Sequence, residues 1–254
     1  MSIQSEIERI NGNVASAYSV LSAKGATMPS ERNTANLASA IESIPINAEA
    51  MSIETIWEIC GYEPNGGLPD GYTLLEYIQS SGTQYIDTGF KPKYNTRVVM
   101  DVQISGTSAQ MLFGARDENS KTAKNQFLLY RTSATAVRSD YFGTNVSATI
   151  SNTTVRTTID RNANVTTLFG TTITNTAVSS GECSYPLYLF NANNAGAVLS
   201  AYAVMKLYSC QIYDNGTLIR DFAPCTNASG EYGLYDKANG VFYGNAGSGS
   251  FTGA

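Results

Sequence analysis

The period of the hydrophobic pattern changes once along this 254-residue chain, and that change constrains its fold more than any other feature. Through residue 62, apolar side chains recur at the spacing of one helix face. After residue 71, short runs alternate apolar and polar side chains, as half-buried strands do. The segment between them, EPNGGLPDG, is rich in proline and glycine and is typical of a linker. We therefore predict a helical module over 1–62, a linker over 63–71 and a β domain over 72–254.

The first predicted helix carries an apolar stripe with heptad spacing. Its members follow one another at intervals of 4-3-4-3-4 residues and are Ile3, Ile7, Ile10, Val14, Ala17 and Leu21. This spacing is typical of a coiled-coil seam, but the stripe is shorter than three heptads. Two interpretations therefore stand, namely packing on the next helix of the same chain or a short oligomerisation bundle. The β-branched side chains allow a dimer or a trimer. For the bundle we expect a homo-oligomer, with the trimer favoured.

Two more helices are predicted in this module, which also holds most of the net charge. Gly25 ends the first helix, a second spans about 34–44 and stops at Pro45, and a third spans about 48–60. Residues 1–62 contain three basic and seven acidic side chains, whereas the whole chain has a net charge of −5. The remainder, with 13 basic and 14 acidic residues, is nearly neutral.

The β domain is predicted from alternation and from turn residues. Runs of period two occur at 96–104, 126–131, 154–160, 165–169, 187–190 and 204–214. Asn215 and Gly216 separate two such runs, 209–213 and 217–222, which is a strong hairpin signal. Many short strands joined by turns predict a sandwich or a barrel. The Gly- and Ser-rich end, 244–254, is predicted to form a last strand or an ordered tail held by Phe251.

Composition excludes several classes of function. The chain has no histidine, so Ser-His-Asp and Cys-His nucleophile systems and imidazole zinc sites cannot be built. An acidic balance argues against nucleic acid as a partner. No apolar run approaches the roughly 18 residues of a membrane span, so we expect no membrane insertion. The four cysteines form no C-x-x-C pair and are expected to be free and mostly buried. We expect no cofactor and no metal ion.

Several segments carry a family resemblance. In the β domain they are LPDGYTLLEYI (68–78), SSGTQYIDTG (80–89), LFGAR (112–116), KLYSCQIYDNG (206–216), RDFAPC (220–225) and GLYD (233–236). Together they resemble the laminin-G/concanavalin A-like domains of bacteriophage and prophage tail proteins. The N-terminal runs NVASAY (13–18) and NLASAI (36–41) resemble the leading module of phage virion proteins.

This resemblance implies a fold and a function. The fold is mainly β, a two-sheet antiparallel jelly-roll sandwich preceded by a small helical module. The function is that of a virion structural protein, of tail-fibre, baseplate or capsid-fibre type. Its helices would attach it to other virion proteins, and its sandwich would be displayed for adhesion to a receptor or a cell-surface glycan. The alternative is a capsid decoration or head-fibre protein without sugar binding. Because this fold serves many functions, it does not settle the ligand.

Sugar binding requires aromatic faces for stacking and planar polar groups for hydroxyls. The candidate ligand-binding residues are Arg116, Tyr130, Arg138, Asp140 and Tyr141. The alternative is a structural role, in which each arginine holds a carboxylate such as Asp140. Calcium bound by Asp117, Asn119 and Asp140 is a further alternative. A glycosidase would need a pair of carboxylates across the sugar, and no Glu-x-Asp-x-x-Glu pattern occurs. We therefore predict that the chain is not an enzyme and keep a carbohydrate-active enzyme as the remote alternative.

Overall fold

A computed structural model describes residues 3–44, 64–106, 108–120, 123–151 and 154–254. The chain divides into two compact units, 1–67 and 68–254. The division falls within the segment 63–71 that the sequence predicts to be a linker. Each unit has a hydrophobic core of its own, as independent domains do.

The first unit contains two described helices, α1 (Ile3–Ala23) and α2 (Thr34–Glu42). Gly25 adopts a positive φ of 80° just after α1, as predicted for its end. The side chain of Asn33 caps α2 by accepting a hydrogen bond from the Asn36 backbone N–H at 3.0 Å. Tyr18, Leu21 and Ala40 form the small core between the helices. The third predicted helix, 48–60, lies outside the described residues.

Only the C-terminal half of the α1 stripe is covered by α2. Ala17 and Leu21 are buried, at 5% and 4% exposure. Ile3, Ile7 and Ile10 are 83%, 46% and 43% exposed. Packing on the next helix therefore accounts for one end of the stripe, and the described residues leave the other end exposed.

The second unit begins after a 3-10 turn (Pro64–Gly67) and is built almost entirely of strands. Their bounds are β1 (Thr73–Leu74), β2 (Ile78–Gln79), β3 (Ile86–Asp87), β4 (Thr96–Ile104), β5 (Gln110–Arg116), β6 (Gln126–Ser133), β7 (Ala136–Tyr141), β8 (Thr144–Thr149), β9 (Thr157–Asn162), β10 (Val165–Leu168), β11 (Thr171–Thr174), β12 (Tyr188–Leu189), β13 (Ala192–Asn194), β14 (Ala197–Val198), β15 (Met205–Asp214), β16 (Thr217–Thr226), β17 (Tyr232–Asp236), β18 (Val241–Tyr243) and β19 (Thr252–Gly253).

These strands form two sheets. The first has the order β11-β10-β9-β4-β15-β16-β17-β18. Three short strands join it, since β1 pairs with β16, β2 pairs with β15 and β19 pairs with β2. The second has the order β14-β13-β5-β6-β7-β8, with β12 paired to β5 and β3 paired to β12. The described strand pairs are antiparallel except β13 with β5. The mainly β, two-sheet sandwich predicted from the sequence is thus confirmed.

One side of each sheet lies in a shared core. In β4 every second residue is buried, from Thr96 to Ile104, as the period of the sequence requires. Val98, Met100 and Val102 of this strand join Phe127 and Leu129 of the second sheet in the core. The described cysteines, Cys183, Cys210 and Cys225, are free and buried, as expected.

Two local predictions are confirmed as well. Strands β15 and β16 form the predicted hairpin, and Asn215 and Gly216 take positive φ values of 49° and 80° at its turn. Phe251 is 1% exposed, and its ring centroid lies 4.9 Å from that of Phe190. The C-terminal segment is therefore ordered and held by this ring.

Candidate functional site

The outward side of the second sheet collects most of the predicted ligand-binding residues. In β7, Val137 and Tyr141 point into the core, so Arg138 and Asp140 lie on the outer side. Arg138 is paired in register with Tyr130 of β6 and with Ser147 of β8. The neighbouring strands β6 and β7 thus bring an aromatic ring and an ion pair together.

Arg138 and Asp140 form a close bidentate ion pair. Arg138 Nε donates to Asp140 Oδ1 at 2.7 Å, and Arg138 Nη2 donates to Asp140 Oδ2 at 3.0 Å. The guanidinium carbon also lies 5.2 Å from the centroid of the Tyr130 ring, within range of a cation–π contact. The Asp140 side chain is fully buried and that of Arg138 is 12% exposed, so Arg138 is the member of the ion pair that solvent can reach. The structural role considered for Arg138 is therefore present in this pair.

Arg116 lies on the same side, and its side-chain hydrogen bonds within the described residues go to amides and not to a carboxylate. Its Nε donates to Asn194 Oδ1 at 2.7 Å, and its Nη2 donates to Asn119 Oδ1. Asn194 stands opposite Arg116 in the parallel pair of β13 and β5. Burial lowers the pKa of Arg116, Asp140 raises it and Arg138 lowers it further. The suggestion that each arginine pairs with a carboxylate is therefore wrong for Arg116, because two neutral amides accept its hydrogen bonds.

Tyr141 is not part of this surface. It is 1% exposed, and its hydroxyl donates to the backbone carbonyl of Tyr94 at 2.6 Å. Its ring packs against those of Phe127 and Phe142, with centroids 6.4 and 5.1 Å away. Because adjacent residues of a strand face opposite sides, Tyr141 cannot share a face with Asp140. The prediction that Tyr141 contacts a ligand is corrected here, and the residue belongs to the core.

The structure adds tyrosines that the sequence pattern did not single out. Met111 of β5 pairs with Tyr130 on one side and bridges to Tyr202 on the other. The ring of Tyr85 lies 4.6 Å from that of Tyr188 and 6.5 Å from that of Tyr202, centroid to centroid. Burial raises the pKa of Tyr188 to about 12, so its hydroxyl is protonated at neutral pH. Strand pairing thus aligns Arg138, Tyr130, Met111 and Tyr202 in one row across the sheet. The Tyr202 ring at the end of this row lies near the Tyr85 ring.

Arg161 of β9 reaches the same region from the core. It is completely buried, and its Nη2 donates to the Asp140 carbonyl at 2.8 Å while its Nη1 donates to the Leu128 carbonyl at 2.6 Å. Its guanidinium lies 3.8 Å from the centroid of the Phe127 ring. Burial lowers the pKa of Arg161 from 12.5 to about 9, and the side chain remains cationic at neutral pH. Leu128 and Asp140 are cross-strand partners, so Arg161 connects β6 and β7 from the core side of the sheet.

The aspartates Asp117, Asp140 and Asp160 have separate partners. Asp117 accepts hydrogen bonds from the backbone N–H and the hydroxyl of Ser184, at 2.7 and 2.8 Å. Asp140 is engaged by Arg138, and Asp160 pairs with Arg97 on the first sheet at 2.7 Å. Within the described part of the chain, no group of three or more His, Cys, Asp or Glu side chains could hold a metal ion.

The exposed end of the α1 stripe, in the first unit, is a second candidate surface. A cavity of about 360 Å³ lies beside it, lined by Ile10 and Val14 of α1 and by Asn33 and Thr34 at the start of α2. Neither described helix is long and apolar enough to cross a membrane.

Solved structures with related architecture exist, whereas no protein-family model and no curated protein matches the sequence. One is the CBM40 of Ruminococcus gnavus IT-sialidase bound to alpha2,3 sialyllactose, with 15% identity and a TM-score of 0.43, covering 54% of this chain and 89% of that one. Another is mouse laminin alpha1 LG4-5, with 9% identity and a TM-score of 0.40, covering 76% and 48%. A third is the K499G mutant of NanB sialidase from Streptococcus pneumoniae, with 11% identity and a TM-score of 0.35, covering 67% and 39%.

Such low identities carry no information about a shared ligand, and the fold assignment rests on the two sheets themselves. The second unit of this chain is a two-sheet β-sandwich whose structural neighbours include CBM40 and laminin G-like domains.

Proposed function

We propose that this chain is a non-catalytic virion adhesion protein whose sandwich binds a glycan on the outward side of its second sheet. The observation that carries the glycan assignment is the group of Arg138, Asp140 and Tyr130. A guanidinium fork whose carbon lies 5.2 Å from the centroid of a tyrosine ring offers planar donors for hydroxyl groups, next to an aromatic side chain for a sugar ring. Arg138 is fixed by two hydrogen bonds to a buried carboxylate, so little side-chain entropy is lost when a ligand binds.

A glycan array tests this site. We expect the full-length protein to bind specific glycans and the variants Arg138→Ala and Tyr130→Ala to lose that binding. The matched control is Arg97→Ala, because Arg97 also pairs with an aspartate and also lies over a tyrosine, Tyr213, at 5.6 Å, but on the first sheet. The proposal is contradicted if Arg97→Ala loses glycan binding equally, or if the parent protein binds no glycan on the array. Absence of binding by the parent protein would favour the alternative, a capsid decoration protein without sugar binding.

We further propose that the exposed end of the α1 stripe joins copies of this chain, with a trimer favoured. Ile3, Ile7 and Ile10 occupy the seam positions and are exposed, and isoleucine at both seam positions favours three or four strands. The flanking positions carry mainly amides, and Glu6 is paired with Arg9 of the same helix, so little charge repulsion opposes self-association. Several sandwiches held together would multiply a weak affinity for a single glycan.

Light scattering tests this association. We expect an oligomer for the parent and a monomer for the double variant Ile7→Ser, Ile10→Ser, because the seam loses its apolar contacts. Ile41→Ser is the matched control, since Ile41 is 38% exposed on α2, outside the stripe. A parent that stays monomeric at high concentration overturns the oligomer.

Attachment to the particle rests on the sequence resemblance to phage virion proteins and has its own test. Deleting residues 1–62 should abolish incorporation into particles, and the same preparation can be checked for a folded sandwich by near-ultraviolet circular dichroism. Incorporation that survives the deletion contradicts the anchoring role of the helices.

A further inference from the structure

One carboxylate, that of Asp140, lies among three guanidinium groups. Asp140 is fully buried, and both of its oxygens accept hydrogen bonds from Arg138. Arg116 lies on the same outer side of the sheet, on β5, with β6 between it and β7, and while burial lowers the pKa of its guanidinium, Asp140 raises it. Arg161 approaches from the core and binds the Asp140 backbone carbonyl at 2.8 Å. Among these four side chains, one negative charge therefore faces three positive charges, an excess of two.

The hydrogen-bond partners of Arg116 and Arg161 do not cancel this excess. Among the described residues, Arg116 donates to two neutral amide oxygens, of Asn119 and Asn194. Arg161 donates to two backbone carbonyls. Both arginines are nearly or completely buried, at 5% and 0% exposure, so solvent screens their charges poorly. Such a site holds a local positive potential that a nearby anion would relieve.

The first sheet provides a contrast inside the same molecule. There, Arg97 pairs with Asp160 and Arg156 pairs with Asp101, each at 2.7 Å. Each of these arginines has a carboxylate partner and also faces a tyrosine ring. These two surface arginines of the first sheet are therefore balanced by carboxylates, whereas Arg116 and Arg161 have no carboxylate among their described hydrogen-bond partners.

From this arrangement we infer that the glycan bound at this site carries an anionic group, a carboxylate or a sulfate. The inference rests on the proposed function and specifies its ligand class. The anion would meet the exposed edge of Arg138 beside the Tyr130 ring, because Arg138 is the member of the cluster that solvent reaches. Arg116 and Arg161 would act on it through their charge and not by direct contact.

A binding comparison between sugars that differ in one group tests the ligand class. The probes are albumin conjugates of glucuronic acid, glucose 6-sulfate and glucose, measured against the full-length protein at low and high salt. We expect at least one acidic conjugate to bind about ten-fold more tightly than glucose, the effect of one charge interaction at short range. We also expect salt to reduce that difference.

The variant Asn194→Asp tests the role of the excess charge. It keeps the shape of the side chain and the hydrogen bond from Arg116 Nε, but it supplies the missing carboxylate. We expect the preference for the acidic conjugate to fall to near unity while the folded state is retained, as read from tyrosine near-ultraviolet circular dichroism. Asn162→Asp on the first sheet is the matched control, since it adds the same charge beside Arg97, and it should leave the preference unchanged.

The outcomes separate this inference from the proposed function. Binding of glucose and of the acidic conjugates with equal affinity, abolished by Arg138→Ala, overturns the ligand class and leaves the adhesion site standing. An acidic preference that survives in Asn194→Asp also overturns the inference. No binding to any of the three conjugates or to the glycan array overturns the adhesion site, and this inference falls with it.

Discussion

Replacing Phe251 by alanine should destabilise the whole sandwich, although the residue lies only three positions from the end of the chain. Its ring is 1% exposed and lies 4.9 Å from that of Phe190. Removing a buried phenylalanine side chain costs about 3–5 kcal/mol through lost burial and the cavity left behind. The loss should also release β19, which pairs with β2 through Thr252 opposite Gln79.

Urea unfolding followed by tyrosine near-ultraviolet circular dichroism measures this cost. The signal reports the sandwich, because 14 of the 16 tyrosines lie in residues 68–254. A loss of about 4 kcal/mol with a slope of about 2 kcal/mol/M lowers the urea midpoint by about 2 M. Phe251→Leu, which keeps most of the volume, should lose less than about 1.5 kcal/mol.

An exposed hydrophobic residue of the same sheet serves as the control. Val241 is 45% exposed in β18, so Val241→Ala should change the free energy of unfolding by less than about 0.5 kcal/mol. If Phe251→Ala is no more costly than Val241→Ala, the C-terminal segment is not held by this ring and the reasoning fails.

Two further predictions concern close packing and alkaline pH. A Cβ added at Gly114 would lie 2.8 Å from Leu128 Cα and 2.7 Å from the Phe127 carbonyl oxygen. Gly114→Ala should therefore lower the urea midpoint clearly and also weaken glycan binding, and an unchanged midpoint would contradict this packing. Burial raises the pKa of Tyr188 from 10 to about 12. The folded state thus keeps this proton longer than the unfolded chain does, and the associated stability is complete below pH 10 and is lost as pH rises through 12. Tyr188→Phe should reduce the fall in urea midpoint above pH 10, and identical pH profiles for variant and parent would refute this cause.

Much of the sandwich follows from local patterns. The sequence predicts both ends of β4 correctly, because the alternating pattern in the sequence covers the same nine residues whose burial alternates in the structure. The turn at Asn215 and Gly216 was predicted because few other residues take the positive φ values that a two-residue hairpin turn requires. The placement of Tyr141 was also open to prediction, since a residue next to Asp140 on a strand must face the other way.

The contacts that distant strands make at the site could not be predicted from the sequence. Asn194 is 78 residues from Arg116, and they meet because β13 runs beside β5. Tyr202 and Met111 meet through one isolated bridge. No spacing in the sequence encodes such pairings, because the register between distant strands is chosen by the packing of the whole core.

The sequence by itself determined the periods, the turns and the division near residues 63–71, since each of these depends on residues close together in the chain. It also excluded histidine chemistry. Only the tertiary structure decided that half of the α1 stripe is covered, that Tyr141 is core and that Asp140 lies among three arginines. Burial and electrostatic balance depend on which distant segments become neighbours, and that is a property of the folded chain alone.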